Sequence, residues 1–197
     1  MENATRRRRA TFLGPLRRPA WGSVLLAAGL VAAVAWGPIS SAGDPPRLRL
    51  AVLPFEIKDT SGEVGAPDRH DAMLANLARF VDERIAAARV FDVVDHARVL
   101  DAVATANPGT YLRSCNGCER DIAKSVGADS VMVGWVYKVS SLVLSLHVVV
   151  KDVATGKVLY ARVFDFRGDN DKAWTRAAGY MVAALSKQIE TISRPTN

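Results

Sequence analysis

Residues Ser130 to Phe166 constrain the fold more than any other stretch, because polar and apolar side chains alternate there almost without interruption. Val131, Val133, Trp135, Tyr137 and Val139 fall on one face, with Met132, Gly134, Val136 and Lys138 on the other. Leu142, Leu144, Leu146, Val148 and Val150 then share a face opposite Val143, Ser145, His147, Val149 and Lys151. Leu159, Ala161, Val163 and Asp165 oppose Val158, Tyr160, Arg162, Phe164 and Phe166. Period-two alternation rich in β-branched and aromatic residues marks half-buried strands. Ser140-Ser141 joins the first pair and Thr155-Gly156 the second, where glycine accepts the positive φ of a tight hairpin. The stretch is expected to be an antiparallel meander with one face against a core.

Before it, Arg47–Phe55 reads as a strand, and its apolar run Ala51-Val52-Leu53 suits one covered on both faces. Lys58–Pro67 is polar and reads as a loop. Asp68 is the expected N-cap of a helix whose apolar positions are Leu74, Leu77, Val81, Ile85 and Ala88. A short strand at 91–94, a helix from His96 to Thr105 and a short helix from Glu119 to Val126, closed by Gly127, follow. After the meander a last amphipathic helix runs through Trp174, Ala178, Met181, Leu185, Ile189 and Ile192. The order β-α-β-α-α-β-β-β-α predicts an α/β domain over 47–193: a mixed sheet, parallel at its start and antiparallel in its meander, packed by helices.

The ends are read differently. Arg6–Arg9 and Arg17-Arg18 precede the uncharged apolar run from Trp21 to Trp36, and Ser40-Ser41-Ala42 follows. Basic, apolar, then small residues is the layout of a secretory signal peptide over 1–42, cut after Ala42. The run is shorter than the roughly 20 residues of a spanning helix. An inner-membrane anchor through 21–36 is the alternative, and Sec and twin-arginine export both remain open. Residues 43–46 read as a linker and 194–197 as a tail. The chain carries 26 basic and 20 acidic side chains, a net charge of +6. Six arginines and one glutamate fall within 1–42, so the remainder holds 20 against 19. With no basic surplus or basic run there, nucleic acid is not an expected partner.

The segments Leu50-Ala51-Val52-Leu53-Pro54-Phe55-Glu56, Phe91-Asp92-Val93-Val94-Asp95, Gly127-Ala128-Asp129 and Asp152-Val153-Ala154-Thr155-Gly156-Lys157, in that order and spacing, resemble the envelope modules typified by the TolB N-terminal domain and the CsgG-like domain. More narrowly, Cys115-Asn116-Gly117-Cys118-Glu119, the run Gly134–Ser140 and Arg167-Gly168-Asp169-Asn170-Asp171 with Trp174 resemble a family of secreted bacterial proteins. Its members are often encoded near quinoprotein alcohol dehydrogenases and c-type cytochromes. The resemblance implies a periplasmic or secreted binding or assembly module with an envelope protein partner and no established active site. A membrane would be met only through an uncleaved leader.

Candidate chemistry centres on Cys115 and Cys118, the two cysteines of the chain. In an oxidising compartment they are expected to form a local disulfide. A thiol-disulfide redox role is the alternative, since a cysteine near a helix N-terminus has a lowered pKa. Zinc would need two more ligands, and His70, His96 and His147 lack paired spacing. Haem c attachment would need His where Glu119 stands. Asp165, Asp169, Asn170 and Asp171 surround Gly168 and read as helix capping, with a calcium site as the alternative. Gly156-Lys157 lacks the other glycines of a phosphate loop, and no nucleophile elbow is present. Trp135 and Tyr137 read as core, and His147 as a satisfied or half-exposed histidine. No catalytic residue, metal or cofactor is expected. The long connection from Tyr111 to Glu119 is the expected contact region, with Tyr111, Arg113, Asn116 and Glu119 as partner-binding candidates.

Overall fold

The computed structural model describes residues 47–63 and 67–193; the expected leader, linker and tail lie outside them. One sheet contains β1 Arg49–Val52, β2 Glu56–Asp59, β3 Asp92–Val93, β4 Ser130–Ser140, β5 Val143–Asp152 and β6 Val158–Phe166. With it come helices α1 Pro67–Ala88, α2 His96–Ala106, α3 Cys118–Ser125 and α4 Asp171–Ser193. The strand order is β3-β1-β4-β5-β6, and β2 pairs with β4 beyond the end of β1. Pairings among β1, β2, β3 and β4 are parallel; β4-β5-β6 is the antiparallel meander. This is the expected mixed sheet packed by helices, with one strand more than the sequence pattern shows.

That extra strand is β2, where the pattern reads loop from Lys58. Glu-Ile-Lys-Asp has no apolar alternation of its own. It becomes a strand because β4 is longer than β1: β1 pairs with Ser130–Met132, and β2 takes up Trp135–Lys138 on the same edge. Backbone groups there need partners, and the passing chain supplies them. Leu53-Pro54-Phe55 makes the step between the two. The Phe55 ring lies over Gly134, where a Cβ would overlap it.

The faces are covered unequally. On one, Leu50, Val52, Met132, Val136, Leu144, Leu146, Val148 and Val150 pack under α1 and α4 through Leu77, Val81, Ile85, Trp174, Met181 and Leu185. On the other, Ala51, Leu53, Val131 and Val133 meet Val99, Leu112, Ile122 and Val126 from α2, α3 and the turn before α3. So β1 is buried on both sides, as its apolar run predicts. Beyond β4 no described helix covers the second face, and Val143 on β5 and Val163 on β6 are exposed. Trp135 is half-buried, packed against the margin of the α2–α3 core and stacked on His147 at 4.8 Å, and Tyr137 is half-buried beyond it. Leu142 also departs from expectation. It lies in the two-residue β4–β5 turn, exposed, because β4 ends at Ser140 and β5 begins only at Val143.

Helix ends follow local chemistry. Asp95 caps α2 by accepting from Arg98 N, and Asn107 ends it in the left-handed region at φ 37°. Gly127 (φ 72°) follows α3. Asn170 caps α4, its Oδ1 accepting from Ala173 N at 3.0 Å.

Candidate protein-interaction site

The long connection between α2 and α3 contains a single 3-10 turn, Leu112–Ser114, and then the cysteine pair. Cys115 and Cys118 are joined in a disulfide, their Cα atoms 5.8 Å apart. Cys118 is also the first residue of α3, so the bridge ties the connection to that helix.

Three other contacts hold this segment. Glu56, at the start of β2, accepts from Leu112 N at 2.6 Å, Arg113 N at 3.1 Å and Arg113 Nη1 at 2.9 Å. One carboxylate thus satisfies two backbone donors of the turn and one guanidinium. Glu119, only 2% exposed, meets Lys151 Nζ at 2.7 Å and accepts from Gly117 N at 3.1 Å. Leu112 is buried beneath in the α2–α3 core.

Above this frame stands Tyr111, 59% exposed. The Arg113 guanidinium lies 3.8 Å from its ring centre, a cation–π contact. Asn116 is exposed at the tip of the disulfide loop. Of the four expected contact residues, then, Tyr111 and Asn116 face solvent and Arg113 is mostly covered by Glu56 and Tyr111. Glu119 differs from these: its carboxylate is buried on Lys151 and Gly117 and serves the frame. Glu56 is the residue that sequence reading misses, because its contacts are 56 and 57 positions away.

The chemistry on offer is limited. Cys115, Cys118 and Glu119 come as close as metal donors do, within 4.8 Å, but the two sulfurs are bonded to each other. Glu119 Oε2 sits 3.2 Å from Cys115 Sγ, which in a disulfide has no proton to donate. In the reduced state that carboxylate would oppose a thiolate there.

The acidic group around Gly168 divides between separate tasks. Asn170 caps α4, Asp171 accepts from Asn76 Nδ2 at 3.3 Å, and Asp165 is exposed on β6. Asp169 is buried, facing Lys138 Nζ at 3.1 Å, His70 Nε2 at 3.0 Å and Arg69 Nη2 at 3.0 Å. All three contacts fall on Oδ2, and the basic charge gathered there disfavours a cation. Burial alone would raise the Asp169 pKa; hydrogen bonds from His70 and Lys138 outweigh this and hold it below the usual carboxylate value. Lys138, 1% exposed, also meets Glu63 at 3.1 Å and Asp59 at 3.3 Å. Its place on the apolar face of β4 is the signal that could have found this cluster, which pins the ends of β2 and β6 and the start of α1. Among the described residues no helix is long and apolar enough to cross a membrane.

The chain is similar to the lipoprotein GNA1162 from Neisseria meningitidis, at 19% identity and TM-score 0.45, covering 76% of this chain and 99% of that one. It is similar to the LpoB C-terminal domain from Salmonella enterica, at 19% identity and TM-score 0.43, covering 64% and 86%. It is also similar to TolB from Acinetobacter baumannii, at 13% identity and TM-score 0.45, covering 74% of this chain and 29% of that one. No curated protein matches. The family described as "Protein of unknown function (DUF2380)", DUF3280, matches residues 48–185, and the chain belongs to it.

Proposed function

We propose that this protein is an exported, non-catalytic module of the bacterial envelope that binds a protein partner through the Tyr111–Cys118 segment. Residues 1–42 act as its signal peptide, and the partner belongs to a periplasmic quinoprotein alcohol dehydrogenase system. The observation that carries the reading is Tyr111: a large aromatic left exposed on a segment otherwise clamped by a disulfide, a shared carboxylate and a buried ion pair. Exposed aromatics in a fixed setting make interface anchors, because little ordering remains to oppose association.

The test is capture of the dehydrogenase from periplasmic extract by the immobilised protein. Tyr111→Ala should lower capture at least tenfold while leaving the unfolding midpoint unchanged, since that side chain lies outside the core. Undiminished capture by this variant would remove the segment as the contact site. Capture of no dehydrogenase subunit would remove the named system.

A redox role through Cys115 and Cys118 is the second reading, favoured by the position of Cys118 at the N-terminus of α3. Glu119 beside Cys115 works against it. Alkylation rates of the reduced protein across pH separate the two: a redox pair shows one thiol reacting well below the usual cysteine pKa.

A further inference from the structure

The side of the sheet opposite the Tyr111 segment carries α1 and α4, and a groove of about 810 Å³ runs between them on their outer surface. Its walls are Phe80 and Arg84 from α1 and Lys172, Arg176 and Tyr180 from α4. The floor is made of small residues, including Ala87, Ala88, Gly179 and Ala183. From Lys172 to Ser186 it extends along α4 for about 21 Å, some four helical turns.

Three observations bear on it independently. The first is charge. Arg84, Lys172 and Arg176 line the groove, no Asp or Glu does among the described residues, and none of the three cations pairs with a described carboxylate. Arg84 instead lies over the Phe80 ring. The second is Gly179. It sits inside a long helix, its φ is not positive, and a Cβ added there would meet nothing within 4 Å. A helix-interior glycine costs about 1 kcal/mol relative to alanine, and no contact among the described residues calls for it. The third is polarity out of place. Tyr180 is 68% exposed beside the groove, while Ser186 Oγ, which also lines it, is buried without a hydrogen-bond partner among the described residues.

We infer that this groove is a second docking site, and that its occupant is an acidic amphipathic helix of a partner protein, laid along α1 and α4 with its backbone close to Gly179. Its apolar stripe covers the alanine floor, and its flanking carboxylates meet Arg84, Lys172 and Arg176. Charge selects this occupant over others. The leader of this chain is itself arginine-rich, the same sign of charge as the groove. A second copy meeting the groove face to face brings like charges together. A flat lipid surface does not reach the floor of a concave groove. The inference goes beyond the proposed function, since it concerns the other side of the sheet; a protein using both sides bridges two partners.

The probe is a displayed library of helical peptides about 20 residues long, selected on the full-length protein. Enriched sequences should be amphipathic with Asp or Glu flanking the apolar stripe. The affinity of the best peptide should fall at least tenfold in Arg176→Glu and in Gly179→Gln. Gly179→Gln keeps the fold testable, because the added side chain enters open space and the helix propensity improves; its unfolding midpoint should hold or rise while binding is lost. Enrichment of basic or uncharged peptides, or binding indifferent to both substitutions, overturns the inference. So does binding to phosphatidylglycerol vesicles with no peptide enriched, or self-association abolished by Arg176→Glu. Tyr111→Ala should leave peptide binding unchanged, which separates failure here from failure of the proposed function.

Discussion

Glu56 commits both carboxylate oxygens to one turn of a distant segment, and its removal is the sharpest test of how that segment keeps its shape. Glu56→Ala leaves Leu112 N, Arg113 N and the Arg113 guanidinium without their acceptor. We expect a loss of about 1–3 kcal/mol in urea unfolding, with faster amide exchange at Leu112 and Arg113. Asp82 gives a pH-dependent counterpart. Burial pushes its carboxyl up to about 6, against the opposing pull of His96, whose Nδ1 lies 2.8 Å away. Between about pH 4 and 6 the folded protein therefore holds a proton that the unfolded chain has released, so stability falls as pH rises through that window. Asp82→Asn should flatten the decline. Asp169 runs the other way: its contribution is complete above about pH 4 and disappears as pH falls through its lowered pKa. Urea midpoints across that range for wild type and Asp82→Asn separate the two. Asp169 left a trace in the sequence, as part of the acidic cluster around Gly168, and so did its partner Lys138, a charge on an apolar strand face. Glu56 and Asp82 look like ordinary surface acids until the fold delivers their partners.

Elements were more legible than contacts. The meander, the helices and the doubly buried β1 follow from periodicity, because each buries a continuous face. Glu56–Asp59 could not be read, since its strand state comes from the free edge of β4 and from nothing in its own side chains. The step between β1 and β2 is equally a product of packing. Gly134→Ala places a methyl group in the Phe55 ring, and overpacking of this kind should cost about 1–3 kcal/mol in urea unfolding. The disulfide acts on a shorter range. Closing so small a loop removes little chain entropy, so Cys115→Ser with Cys118→Ser should cost about 2 kcal/mol or less in thermal unfolding. Exchange should quicken in the 111–118 connection while β4 and β5 stay protected.

At the scale of the whole molecule the sheet separates two proposed docking sides, the clamped Tyr111 segment on one and the basic groove on the other. It is also a fold that depends on one late strand. β4 is hydrogen-bonded to β1, β2 and β5, and Leu50 pairs with Ser130 across most of the domain. A chain made from its N-terminus therefore has no sheet to join until Ser130–Ser140 arrives. Only the two-residue pairing of β1 with β3 is available before then. A fragment ending at Asp129 should show no protected amides and be digested at the rate of a denatured chain. Non-local pairing of this kind is intrinsically slow to form. Were the proposed export to run through a channel that accepts only extended polypeptide, the delay would serve it: the leading part would stay a pliable filament during passage, and the domain would close once the stretch from Ser130 onward had followed.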